Sequence, residues 1–270
     1  MHKISGRELI RTGAVLGGGI AVSKDIFAQR PDEPARTSGT RSWNAAVVGA
    51  PLIRDPVWVY DNWAAYGIGE ANSISLTEAL ALRLLDEVVR YRRLGVRFDY
   101  YMMNGFWFEP AGGYRQWRKD AWPDGPDRWI ERCLEHGIKP GLWFGTNYLW
   151  ELAGSIPQWR ESIAVKQGDW PTLSMYEGGF LPDFLQVLQH WYDRGIRMFE
   201  FDVADFDAAT PAALKNQSGE EIRRRNQSAL REGLRNFRRH NPDVMLVAFN
   251  GFGADQLDFH AVSWESSRTL

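Results

Sequence analysis

In GIRMFEFDVADFD, Gly195 to Asp207, an apolar run carries Glu200 and Asp202 at its end, and Asp205 and Asp207 follow at once. Carboxylates so placed either cap a helix and line a solvated loop, or form a nucleophile or proton carrier fixed on a rigid element. Polar and aromatic residues close five other apolar runs in the same way. Asp61, Asn62 and Trp63 follow VWVY, Asn104, Phe106 and Trp107 follow VRFDYYMM, and Thr146, Asn147 and Trp150 follow IKPGLWF, which contains Trp143. Asn250 follows VMLVAF, and Trp264 and Glu265 close FHAVSW. Thirteen tryptophans are many for 270 residues, and an indole is a stacking surface for the apolar face of a sugar as well as core material. Asp205 reads as a loop or helix cap and as a reserve for Asp202.

Helical patterns separate these runs. SLTEALALRLLDEVVRYRRLG predicts a helix with Ser75 and Glu78 as a capping box and Gly95 as its stop. DRWIERCLEHG predicts a helix capped at Asp127, LPDFLQVLQHWYDRG a third, and SGEEIRRRNQSALREGLRNFRRHNPD a long one with Ser218 and Glu221 as its box. Strand and helix alternating at this spacing predict a parallel sheet with covering helices. Glycines 17 to 19 do not lie between a strand and a helix, so a dinucleotide-binding sheet has no support. Six units with polar residues at each strand's carboxyl end favour a (β/α)8 TIM barrel, an α/β fold, incomplete at about six of eight units.

Lys and Arg (32) nearly balance Asp and Glu (34), leaving no field to draw nucleic acid or an anionic membrane. The single cysteine, Cys133, forms no internal disulfide, and five scattered histidines lack zinc-ligand spacing. His136, His190 and His240 fall near helix ends, where an imidazole suits the dipole. Residues 1–28 read as an export signal: Lys3, Arg7 and Arg11 precede a short apolar, Gly-rich run too short to span a bilayer. The segment SGRELIRTGAVLGGG resembles a twin-arginine signal with Gly6 in place of the first arginine. Residues 29–54 read as a linker and 55–270 as the barrel, truncated at its carboxyl end. The expected location is periplasmic or extracellular, with no membrane contact after processing.

PVWVYDNWAAY resembles the first strand of melibiase-type glycoside hydrolases, the α-galactosidase and raffinose-synthase clan. LGVRFDYYMMNGFWF, IKPGLWF and GIRMFEFD resemble its second, third and fourth strand segments, in order. The resemblance covers Pro56 to Trp264 and implies an exported retaining glycosidase acting on an α-linked glycoside without metal or organic cofactor. It implies Asp202 as nucleophile and Glu265 as acid and base. The sugar pocket falls to Asp61, Asn62, Trp63, Asn104, Trp107, Trp143, Glu200, Asn250 and Trp264. Three motifs depart from the clan. Met103 and Asn104 replace an acidic pair, Glu200 replaces a lysine, and Gly145 and Thr146 replace Glu-Pro. A site that reads particular hydroxyls rejects analogues lacking them, so the glycone is left open. The residues also admit a glycan-binding relative without turnover, or an unrelated barrel lyase or isomerase.

Overall fold

The computed structural model describes residues 56–63, 76–105, 107–148, 156–165, 171–249, 252 and 262–263. The signal and linker segments, Ser75, Phe106, Trp150, Asn250, Trp264 and Glu265 lie outside these.

Six strands form one parallel sheet in the order β1 to β6. They are β1 (Val59–Asp61), β2 (Tyr100–Met103), β3 (Lys139–Phe144), β4 (Met198–Phe201), β5 (Met245–Ala248) and β6 (Val262–Ser263). Between them run α1 (Glu78–Arg93), α2 (Asp127–Glu135), α3 (Phe180–Asp193), α4 (Pro211–Asn216) and α5 (Gly219–His240). Every strand pairs with the next in sequence, and the order never reverses. A doubly wound sheet reverses at a switch point, whereas a barrel winds one way throughout. The chain therefore has an α/β fold of the incomplete TIM-barrel kind.

The pleat sends alternate side chains to opposite faces. On one face Tyr101 donates its hydroxyl to Ala81 O of α1 and meets Trp129 of α2 edge-on at 5.4 Å between centroids. Phe144 and Phe201 meet Phe184 of α3, and Phe199 meets Phe237 of α5. That face is closed by helices. The register places Met102, Gly141, Met198 and Met245 in one row across β2 to β5 on the other face, with Trp143, Glu200 and Val247 in the next row toward the carboxyl ends. A Cβ on Gly141 would stand 2.9 Å from Met198 Cβ and 3.2 Å from Met102 Cε, so glycine is what lets this row close.

Local signals set the helix ends. The cap of α1 is Thr77, whose Oγ1 accepts from Leu80 N at 3.2 Å, in place of the expected Ser75. Asp127 is the first residue of α2 and follows Pro126, with no side-chain cap, contrary to the sequence reading. Ser218 caps α5 as expected, accepting from Glu221 N at 3.2 Å. Helix α4 was not anticipated, although Thr210 at its cap and Pro211 at its first position form a recognised start signal. Gly137 (φ 63°) and Gly195 (φ 107°) take the left-handed turns that end α2 and α3.

The chain after β2 reverses at Gly105 (φ 76°) and folds back over the helices, pinned by a bridge between Phe108 and Trp117. This return carries Trp107 into the core. The ring is fully buried and lies within 6.1 Å of Phe108, Tyr114, Trp117, Phe144 and Trp191 by centroid. Its Nε1 donates to Trp143 O at 2.8 Å. Trp107 is thus a core residue in this structure, not a face open to sugar. Trp107→Ala is expected to cost about 3–5 kcal/mol of stability, read from urea unfolding. A variant of unchanged midpoint would contradict the core assignment.

Candidate active site

The other face, traced toward the strands' carboxyl ends, gathers Asp61 from β1, Asn104 just past β2, Trp143 from β3, Glu200 from β4 and Asp202 just past it. Asp61 Oδ1 accepts from Trp63 N at 2.8 Å, a turn closed on the chain's own backbone, and its Oδ2 accepts from Asn104 Nδ2 at 3.0 Å. Asp202 Oδ2 accepts from Trp143 Nε1 at 3.3 Å. The backbone of Asp202 is fixed on both sides: its N donates to Phe144 O at 2.8 Å and its carbonyl accepts from Thr146 Oγ1 at 2.8 Å. A carboxylate so held has one well-defined position.

Glu200 lies two residues before Asp202 on the same face and is 6% exposed. Burial first, then the neighbouring charges of Asp61 and Asp202, push its carboxyl up to about 8. Burial also raises Asp61, against the two donors that hold its oxygens. Glu200 therefore keeps a proton at neutral pH beside the side chain of Asp202. Neighbouring carboxyl groups whose environments push their proton affinities apart are a combination used in acid–base and nucleophilic catalysis.

Two β-branched residues flank this group with left-handed backbone, Thr146 (φ 44°) after β3 and Val203 (φ 51°) after β4. Such conformations cost about 1–3 kcal/mol each and cluster at functional sites. The Thr146 hydroxyl bond to Asp202 O partly offsets its own strain. Val203 makes the chain turn immediately after Asp202.

The predicted residues divide clearly. Asp61, Asn104, Trp143, Glu200 and Asp202 come together, and Trp63, over a third exposed, stands at the rim. Asn62 does not face them: it is fully buried, its Oδ1 accepts from Asn104 N at 2.8 Å and its Nδ2 donates to Met103 Sδ at 3.1 Å. It ties the end of β1 to the end of β2. Asp205 is a loop staple, with Oδ1 accepting from Asp207 N and Oδ2 from Thr172 Oγ1, while Asn147 bonds to both its backbone groups. Tyr114, not anticipated, supports the site from behind: its buried hydroxyl accepts from Gly145 N at 3.2 Å, and burial raises its pKa well above the ordinary value. It lies in the return loop, where sequence spacing carries no signal. Asn250, Trp264 and Glu265 lie outside the described residues.

No protein-family model and no curated protein matches the chain. Among solved structures, an α-galactosidase from Lactobacillus brevis superposes with a TM-score of 0.59 at 16% identity, over 80% of this chain and 30% of that one. The GH36 α-galactosidase AgaA from Geobacillus stearothermophilus, solved with raffinose, gives 0.60 at 14% identity, over 82% and 32%. AgaB of the same organism gives 0.60 at 15%, over 80% and 31%. The fold is that of GH36 α-galactosidases. The chain spans about a third of their length.

Two outcomes follow for stability. Between about pH 4.5 and 8 the unfolded chain releases the Glu200 proton while the folded chain keeps it, so this group lowers stability as pH rises through that window. Glu200→Gln is expected to remove the slope, so that its stability relative to the parent increases from pH 5 to pH 8 in parallel urea titrations. Val203→Asn, which tolerates the left-handed region, is expected to add about 1 kcal/mol. Calorimetric melting would show a higher midpoint, and a lower one would refute the strain at Val203.

Proposed function

We propose that the chain is the barrel of an exported retaining glycosidase that cleaves an α-linked glycoside or oligosaccharide. The observation that carries this reading is the placement of Asp202, with its oxygen held by Trp143 and its backbone fixed to β3. The fold shared with α-galactosidases, of which AgaA variants were solved with raffinose and with stachyose, supports a glycoside as the substrate class.

In this reading Asp202 attacks the anomeric carbon as the glycosidic oxygen leaves with a proton from Glu265. Water, deprotonated by Glu265, then cleaves the ester that Asp202 formed. Asp61 and Asn104, already bonded to each other, take hydroxyls of the sugar, and Trp63 and Trp264 offer ring faces. No metal or organic cofactor is required, because the two carboxyl groups supply both nucleophile and proton. The amino-terminal segment directs export to the periplasm or beyond.

A second reading is a glycan-binding protein without turnover, favoured by the acid at Glu200 close to the anion at Asp202. Activated fluorosugar traps of α-galacto and α-gluco configuration separate the two. A glycosidase is expected to yield an adduct that peptide mapping places on Asp202. Asp202→Asn is expected to lower turnover at least about 1,000-fold, equivalent to about 4 kcal/mol, while sugar binding persists. Sugar binding with no adduct and no turnover in folded protein would establish the second reading.

A further inference from the structure

Among the described residues, three that are not glycine have left-handed backbone: Tyr114 (φ 64°), Thr146 (φ 44°) and Val203 (φ 51°). They lie in three separate segments, the return loop after β2 and the exits of β3 and β4. Contacts join them in one line. The Tyr114 hydroxyl accepts from Gly145 N at 3.2 Å, the next residue, Thr146, donates its Oγ1 to Asp202 O at 2.8 Å, and Val203 turns the chain directly after Asp202. Left-handed backbone is costly for bulky and β-branched residues and persists only where the surroundings fix it. All three such positions converge on Asp202.

Tyr114 stands farthest along this line. It follows Gly113 (φ 59°), itself left-handed, where a Cβ would stand 2.9 Å from Ile156 Cδ1. The Tyr114 carbonyl accepts from Trp191 Nε1 at 2.7 Å, and its ring packs on Phe108, Phe144 and Phe184 at 4.5, 5.2 and 6.1 Å between centroids. A phenylalanine ring would fill the same space. What the hydroxyl adds is an acceptor for a buried amide just past the end of β3. Trp107 of the same loop holds Trp143 O through Nε1 at 2.8 Å. The exit of β3, gripped at these two points, grips Asp202 at three: Trp143 Nε1 donates to its Oδ2, Phe144 O accepts from its N, and Thr146 Oγ1 donates to its O.

We infer that Tyr114 is a positioning residue for Asp202, acting through Gly145 and Thr146 from the helix side of the sheet to the other. This rests on the glycosidase reading, in which Asp202 attacks the anomeric carbon. Loss of the hydroxyl strands the Gly145 amide, and an unpaired buried amide is costly enough to move the turn that carries it. Thr146 and Asp202 move with that turn. A displaced nucleophile loses rate, while Asp61 and Asn104, on other strands, keep their hold on the sugar.

Labelling of the full chain by the α-galacto and α-gluco fluorosugar traps tests this, read as the rate of Asp202 modification at saturating trap and the concentration giving half that rate, with near-ultraviolet circular dichroism confirming the fold. In Tyr114→Phe the saturating rate is expected to fall at least about tenfold while the half-saturating concentration stays within about twofold. Thr146→Val is expected to show the same split, and Thr146→Ser, which keeps the hydroxyl, to recover rate lost in Thr146→Val. The double variant Tyr114→Phe/Thr146→Val is expected to be no slower than the slower single variant, because both residues act through one line of contacts. Losses that multiply would overturn that line. An unchanged rate in Tyr114→Phe, or a change in the half-saturating concentration alone, would overturn the inference and leave the glycosidase reading standing. A second measurement needs no sugar. The Trp143 indole N–H resonance, identified by its loss in Trp143→Phe, is expected to shift on Asp202→Asn, and that shift is expected to shrink by about half or more in a Tyr114→Phe background. A shift of undiminished size would overturn the inference. No adduct on the folded parent from any trap would overturn the glycosidase reading, and the indole shift by itself would then decide whether Tyr114 places Asp202.

Discussion

The clamp of aromatic side chains between one face of the sheet and its helices is the constraint on which the rest depends. Tyr101, Phe144, Phe199 and Phe201 are each held against a helix. With a period of two, their neighbours have no choice of side. Glu200 lies between Phe199 and Phe201, and Asp202 follows Phe201, so both acids are turned to the face opposite the helices by the burial of two rings. Slipping β4 by one residue would exchange acids for phenyl rings along the strand. The position of the acids is thus a by-product of hydrophobic burial, far larger in energy than any hydrogen bond at the site.

The second requirement is that acids gathered in this way be tolerable. Asp61 and Asp202 accept from fixed neutral donors, and at Asp61 these donors work against the effect of burial. Glu200, with no such donor among the described residues, retains its proton instead. Burial first, and neighbouring charge second, set Glu200 apart within this group of acids as the one that holds its proton. The left-handed turns at Thr146 and Val203 add a local cost paid by the core beneath.

The architecture was legible because each beat of strand and helix carried its own signal, and the polar residues at strand ends pointed to the open rim. Boundaries were less legible. In the run VRFDYYMM the strand proper covers Tyr100–Met103, while Asp99 ahead of it already bonds through its backbone to Trp58 and Lys139 and accepts from Trp58 N with its side chain. Thr77, rather than Ser75, caps α1, because two hydroxyl residues compete within one turn and only geometry decides between them. Of the pocket residues, Asn62 carried a readable contrary signal: it adjoins Asp61, and neighbours on a strand cannot share a face. Trp107 carried none. Its burial comes from a reversal at Gly105 and from long-range ring contacts that no local pattern contains.

The row beneath Glu200 consists of Met102, Met198 and Met245 with Gly141 among them. Unbranched thioethers have several accessible rotamers and soft, polarisable surfaces, so they repack around a change above them at small cost. A floor of valine or isoleucine would hold the acids as tightly but would transmit every change of side-chain volume as strain. The layer under the acids is therefore a compliant bed. It allows a side chain in the row above to change in volume while the sheet beneath keeps its register.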